Sequence, residues 1–349
     1  MRHFLTFLLA LCLAACSVAL PAPTQPTSAA PAIGSSPTPL AWAGLGLSGR
    51  LILIVKAMNG FAIISVDLLT GNNHLIYQAD QGALLSSALV SPDGKQILMT
   101  YAPPVTAQNQ YSYTSLYLLP IDGSKDPQRL FTSASTTDAY FAPAWAPDGK
   151  SIYTSHYHKG ADPNGADDTY TIDQVSLDGQ ARAVIQNGQW PRLSPDGKRI
   201  AYVTASSTNA QADLYQAGVD GKNITPVIKP GTFQAVDDHF FTPDGQSIIF
   251  SAVDPPQPVP TPTSLERFLG ITIASAHNIP SDWYEAPAGG GEPKRLTNLE
   301  DTGMFASLSP GHDWIVFINS TGTYVMQLDG TRLTQLDGIF GSGTVDWIR

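Results

Sequence analysis

A five-residue turn motif recurs along this chain at intervals near fifty residues, and no other feature restricts the fold as much. Ser91-Pro92-Asp93-Gly94-Lys95 returns as Ala146-Pro147-Asp148-Gly149-Lys150, Ser194-Pro195-Asp196-Gly197-Lys198 and Thr242-Pro243-Asp244-Gly245-Gln246. An altered copy stands at Ser309-Pro310-Gly311-His312-Asp313. Successive prolines are 55, 48, 48 and 67 residues apart. Proline presets φ, aspartate bonds the local backbone and glycine accepts positive φ, so each copy specifies a tight turn. Each turn leads into β-formers, such as Ile97-Leu98-Met99 or Ile315-Val316-Phe317-Ile318. Continuous apolar runs of this length read as strands buried on both faces. A second, Asp-Gly turn follows at Asp122-Gly123, Asp178-Gly179, Asp220-Gly221 and Asp329-Gly330, and a short strand such as Arg295-Leu296-Thr297 closes the unit.

Four strands in about fifty residues, without helical periodicity, predict an all-β chain folded as a β-propeller. Five units carry the proline turn. A sixth assembles from Leu51–Val55, Ala62–Ile64 and Leu75–Tyr77, and its missing first strand is supplied by the last segment, Thr344–Ile348. The expectation is therefore six four-stranded antiparallel blades over residues 42–349, with the C-terminal strand closing the first blade and leaving no unpaired edge in the ring. The motifs resemble the TolB-type, WD40-like propeller repeats, best seen in Trp145-Ala146-Pro147-Asp148-Gly149-Lys150 and Lys294-Arg295-Leu296-Thr297. That resemblance spans the whole body and implies architecture, because the repeated residues are turn and strand chemistry. TolB carries a folded domain ahead of its propeller, whereas here a tether precedes it.

Met1-Arg2 is followed by an apolar run from Phe4 to Leu13, too short to span a bilayer and shaped like a secretory signal. Leu13-Ala14-Ala15-Cys16 resembles the bacterial lipobox, which implies cleavage after residue 15 and acylation of Cys16. Two or more acyl chains suffice for stable membrane anchoring. Residues 17–40 are rich in Pro, Ser, Thr and Ala and carry no charge. At about 3.1 Å per residue such a tether reaches roughly 70 Å. The expected organisation is a signal over 1–15, a lipidated tether over 16–41 and the propeller over 42–349, located in the cell envelope. Loss of Arg2 with the signal leaves 18 basic residues against 29 acidic ones, 18 − 29 = −11. That charge argues against a phosphate-binding surface and hence against nucleic acid. Cys12 leaves with the signal, so Cys16 is the one remaining cysteine and no internal disulfide forms.

Propeller function usually follows the long, variable loops rather than the uniform turns. The loop of the third blade contains His156, His158, Asp162, Asn164, Asp167 and Asp168. His156 and His158, two apart on a strand, point the same way and are candidates to share a metal; a solvated polar loop is the other reading. Asp237, Asp238 and His239 precede the fifth blade and are expected on the same face, as a cation or basic-partner site or as a solvated junction. Residues 252–282 form a long Pro-rich insertion, read as a flap or a tolerated insertion. No G-x-S-x-G elbow, P-loop or dinucleotide fingerprint occurs. The preferred function is a non-catalytic, lipid-anchored scaffold without cofactor that binds a protein or glycan through an acidic face. The alternative is a metal-dependent polysaccharide lyase or hydrolase using His156, His158, His239 and His277; it requires the first three to converge on one point.

Overall fold

A computed structural model describes residues 40–105, 113–131, 135–162, 165–204, 212–255 and 279–349. Cys16 and the tether, Asn164, His277 and most of the insertion lie outside the described residues. Residues 39–349 form one compact unit.

Six four-stranded antiparallel sheets make up that unit, a six-bladed β-propeller. Blade 1 contains β1 (Arg50–Ala57), β2 (Gly60–Asp67), β3 (Asn73–Gln78) and, at its inner edge, β24 (Val345–Ile348). Blade 2 runs β4 (Leu84–Val90), β5 (Gln96–Ala102), β6 (Ser115–Pro120), β7 (Gln128–Arg129). Blade 3 runs β8 (Asp138–Trp145), β9 (Ser151–His158), β10 (Thr169–Ser176), β11 (Ala181–Gln186). Blade 4 is built from β12 (Gly188–Leu193), β13 (Arg199–Thr204), β14 (Leu214–Gly218) and β15 (Thr225–Pro226). In blade 5, β16 (Ala235–Phe241) and β17 (Ser247–Val253) are followed, after the insertion, by β18 (Asp282–Pro287) and β19 (Lys294–Arg295). Blade 6 completes the ring with β20 (Phe305–Leu308), β21 (Trp314–Asn319), β22 (Gly322–Gln327) and β23 (Thr334–Gln335). The first strands touch in a closed circle, β4 to β8, β12, β16, β20, β24 and back to β4.

The repeated turns owe their shape to their own side chains. In the first copy Ser91 Oγ donates to Asp93 Oδ1 at 2.6 Å, and the Lys95 N–H donates to the same oxygen at 3.1 Å. Asp93 is held below the ordinary carboxylate range by the Ser91 hydroxyl and the Lys95 backbone N–H. In the altered copy His312 occupies the left-handed position that glycine fills elsewhere, with φ of 60°. Asp-Gly turns face a different constraint, since they abut the outer strand of the preceding blade. A Cβ at Gly221 would lie 1.9 Å from the Val184 carbonyl oxygen, so only glycine fits.

Apolar burial is divided among the blade interfaces. One cluster joins blades 1 and 2 through Ile54, Ile63, Ile97 and Met99. Leu98, Leu116, Ile152 and Val175 join blades 2 and 3, and corresponding clusters fill each remaining interface, including that between blades 6 and 1. A strand covered by a neighbouring blade on each side needs apolar residues at consecutive positions, which is why β21 is buried along its whole length. The C-terminal strand pairs with β1 as expected, with Leu51 opposite Trp347 and Ile52 opposite Asp346.

Candidate functional site

Blade 3 brings one predicted pair together with two carboxylates that sequence reasoning missed. On β9, His156 and His158 alternate around Tyr157 and share a face. Pairing of β8 with β9 sets Asp138 opposite His158 and Tyr140 opposite His156. Asp138 Oδ1 lies 2.8 Å from His156 Nε2 and 2.7 Å from His158 Nδ1. Across the blade, Asp173 Oδ2 on β10 lies 2.9 Å from His156 Nδ1. Both ring nitrogens of His156 thus face carboxylates, and only the imidazolium donates to both. Its ring stacks on Tyr140 with centroids 4.4 Å apart, and Tyr140 stacks in turn on Phe131.

The electrostatics follow from these contacts. Burial opposes ionisation of Asp138, but hydrogen bonds from Ser135, His158, His156 and Thr137 outweigh it and hold the carboxyl below the ordinary range. Burial likewise pulls His156 down, while Asp173 and Asp138 overcome it and raise the imidazole above its usual value. Among the described residues no Lys or Arg pairs with either carboxylate.

The acids of the adjoining loop shape that loop. Asp168 accepts from the Gly160 N–H at 2.8 Å and from the Tyr157 hydroxyl at 2.7 Å. Asp167 accepts from the backbone N–H groups of Ala161 and Asp162 at 2.8 and 2.9 Å. Asp162 takes part through its main chain, receiving the Gly165 N–H on its carbonyl. This network fastens a ten-residue connection between β9 and β10 by its own side chains.

Asp237, Asp238 and His239 lie elsewhere, buried inside β16 rather than exposed at a junction. Asp238 accepts from Arg192 Nη2 at 2.9 Å and from the Ala306 N–H at 2.6 Å, tying blades 4, 5 and 6 together. His239 Nδ1 sits 3.0 Å from the Asp237 carbonyl oxygen, and that contact fixes the neutral ring with its proton on Nδ1. His239 does not join His156 and His158; among the described residues the third member of their group is Asp138. The three-histidine centre is therefore corrected to two histidines and an aspartate. A β-bulge between Val236 and His239 explains the misplacement, since it breaks the alternation that would send neighbours to opposite sides.

Burial lowers the His239 pKa, chiefly by excluding water from the charged ring. A depressed folded-state value gives stability that is present above the unfolded value near 6.5 and lost as pH falls. We expect wild type, relative to His239→Gln, to lose about 1.4 kcal/mol per pH unit below that point. Denaturant unfolding across this range checks the slope; parallel curves for the two proteins would contradict the assignment.

These features define a six-bladed propeller whose loop-bearing side carries a His–carboxylate cluster at blade 3. No family model matches the chain, and no curated protein matches it. Among solved structures, a TolB described as putative from Agrobacterium tumefaciens shares 18% identity, covering 87% of this chain and all of that one, with a TM-score of 0.58. TolB from Acinetobacter baumannii shares 14% over 86% of this chain and 66% of its own, with a TM-score of 0.56. An oligogalacturonate lyase in complex with manganese shares 13% over 82% of this chain and 73% of its own, with a TM-score of 0.54. At such identities the likeness is one of fold, and that fold is the TolB-like propeller expected from the repeats.

Proposed function

We propose that this protein is a lipid-anchored, extracytoplasmic propeller that captures a protein or glycan partner on its loop-bearing face. The observation that carries the reading is the unlikeness of the two faces. One is paved with short turns saturated by their own hydrogen bonds, as in Ser91–Gln96 and Ser194–Arg199. The other bears the connection between β9 and β10 and the strand ends, Val253 of β17 and Asp282 of β18, between which the insertion lies in the sequence. A rigid ring presenting variable loops on one side is a recognition scaffold in physical terms. The net acidity of the chain favours a basic protein surface or a neutral glycan over an anionic one. Acylation of Cys16 and the uncharged tether would hold the ring off a membrane. The lyase alternative loses support, because the third histidine it needs is buried in another blade.

Cross-linking and pull-down from intact envelopes test this reading. Asp162→Lys with Lys159→Glu on the loop face should lower partner recovery about tenfold or more, the effect of losing a single hot-spot contact. Lys150→Glu with Lys198→Glu, on the turn face, should leave recovery unchanged. The reverse pattern would place the interface on the wrong side. Cys16→Ala should move the protein to the soluble fraction; continued membrane retention would remove the anchor.

A further inference from the structure

We propose that Asp138, His156 and His158 bind one Zn²⁺ ion at the loop-face edge of blade 3, with Asp173 acting as the positioning residue for His156. The donor atoms, Asp138 Oδ1, His156 Nε2 and His158 Nδ1, all lie within 4.8 Å of one another. With bonds of about 2.0–2.1 Å, ligand atoms around a tetrahedral ion stand about 3.4 Å apart. The two contacts made by Asp138 Oδ1 are 2.8 and 2.7 Å, so an ion is admitted by outward rotations of roughly half an ångström.

Three independent features support a metal over a simple hydrogen-bonded cluster. First, the backbone fixes the set: the histidines are two apart on β9, and Asp138 is the register partner of His158. Second, among the described residues the ion-pair partners of Asp138 and Asp173 are imidazoles alone. Asp138 and Asp173 flank one imidazole, and no Lys or Arg among the described residues pairs with either. Such a site requires positive charge, and a divalent ion supplies it in place of protons. Third, the outer shell is already present. Asp173 Oδ2 receives the His156 Nδ1 proton at 2.9 Å and is itself fixed by the Thr171 hydroxyl, which donates to Asp173 Oδ1 at 2.6 Å. A carboxylate on Nδ1 commits the opposite nitrogen to the metal and strengthens it as a ligand.

Two imidazoles and one carboxylate suit zinc better than calcium or magnesium, which prefer oxygen. The His158 side chain is half exposed, giving the ion a route in and leaving a coordination position open to water or to a group on a partner. The inference concerns the metal alone and does not depend on the scaffold reading.

Titration of the chelator-treated full chain with Zn²⁺ against a chromophoric chelator decides the matter. One ion per chain is expected. Asp138→Asn and His158→Ala should each weaken binding at least tenfold, and Asp173→Asn about 10- to 100-fold, with unchanged far-UV circular dichroism. His74→Ala, at an exposed position on β3, should have no effect. Zinc binding that survives both Asp138→Asn and His158→Ala would overturn the assignment, as would the lack of saturable binding at micromolar zinc. Equal affinity for Ca²⁺ would also overturn it, pointing instead to the acidic loop after β9.

Discussion

Deleting residues 344–349 should prevent the ring from folding as a cooperative unit. The segment contributes far more than one edge strand. Trp347 pairs with Leu51 in register, and its Nε1 donates to the Ser48 carbonyl at 2.9 Å. Its ring belongs to the cluster that joins blade 6 to blade 1, with Trp42, Leu53, Trp314 and Val316. Asp346 receives the Val90 N–H at 2.8 Å and the Ser307 hydroxyl at 3.2 Å, so one side chain bonds blades 2 and 6 from blade 1. Thr344 adds a second bond to blade 2 by accepting the Ala88 N–H at 2.9 Å. Trp347→Ala alone should cost about 3–5 kcal/mol. Total stabilities are only about 5–15 kcal/mol, so removing the whole strand leaves little net stability. Thermal melting followed by circular dichroism, with limited proteolysis, reads the effect; a sharp melt for the truncated chain near the wild-type midpoint would refute the closure argument.

Asp238→Ala should be strongly destabilising, at about 3–5 kcal/mol. The carboxylate is buried, and Arg192, its partner, is only 19% exposed. Truncation strands the guanidinium and also orphans the Ala306 N–H, which Asp238 Oδ2 receives at 2.6 Å. The substitution Asp238→Asn would keep an acceptor for that N–H while removing the charge. The double variant Asp238→Asn with Arg192→Met should therefore be more stable than Asp238→Ala, although it changes two residues. Urea unfolding of the three proteins tests this order, and equal midpoints for wild type and Asp238→Ala would reduce the ion pair to an incidental contact.

The architecture was legible because the repeat encodes its own turns. Asp93, Asp148, Asp196 and Asp244 each bond the backbone N–H two residues on, so the motif is a local mechanism that survives any change of neighbour. The closing strand was legible for a related reason, since blade 1 lacked a first strand and the last segment had the pattern of one. The site was legible only in half. His156 and His158 share a face by strand periodicity, but Asp138 and Asp173 join them through the register of β8 and β10 on β9, which spacing along the chain does not reveal. Asp173 did leave a trace: it stands inside the strand segment Ile172-Asp173-Gln174-Val175, and an aspartate buried within a strand needs a partner. Asp237, Asp238 and His239 misled in the other direction. Three polar neighbours suggest exposure, yet the bulge in β16 carries all of them inside.

Division of the apolar core among six interfaces separates two kinds of change in this molecule. A ring without a common centre transmits packing only from neighbour to neighbour, as stacked repeats do. Blade 2 stands between the cluster at blade 3 and the clasp at blade 1. Substitutions that retune the recognition side can therefore accumulate in blade 3 without loosening the seam where the last strand pairs with β1, and the seam can be reinforced without disturbing what blade 3 holds.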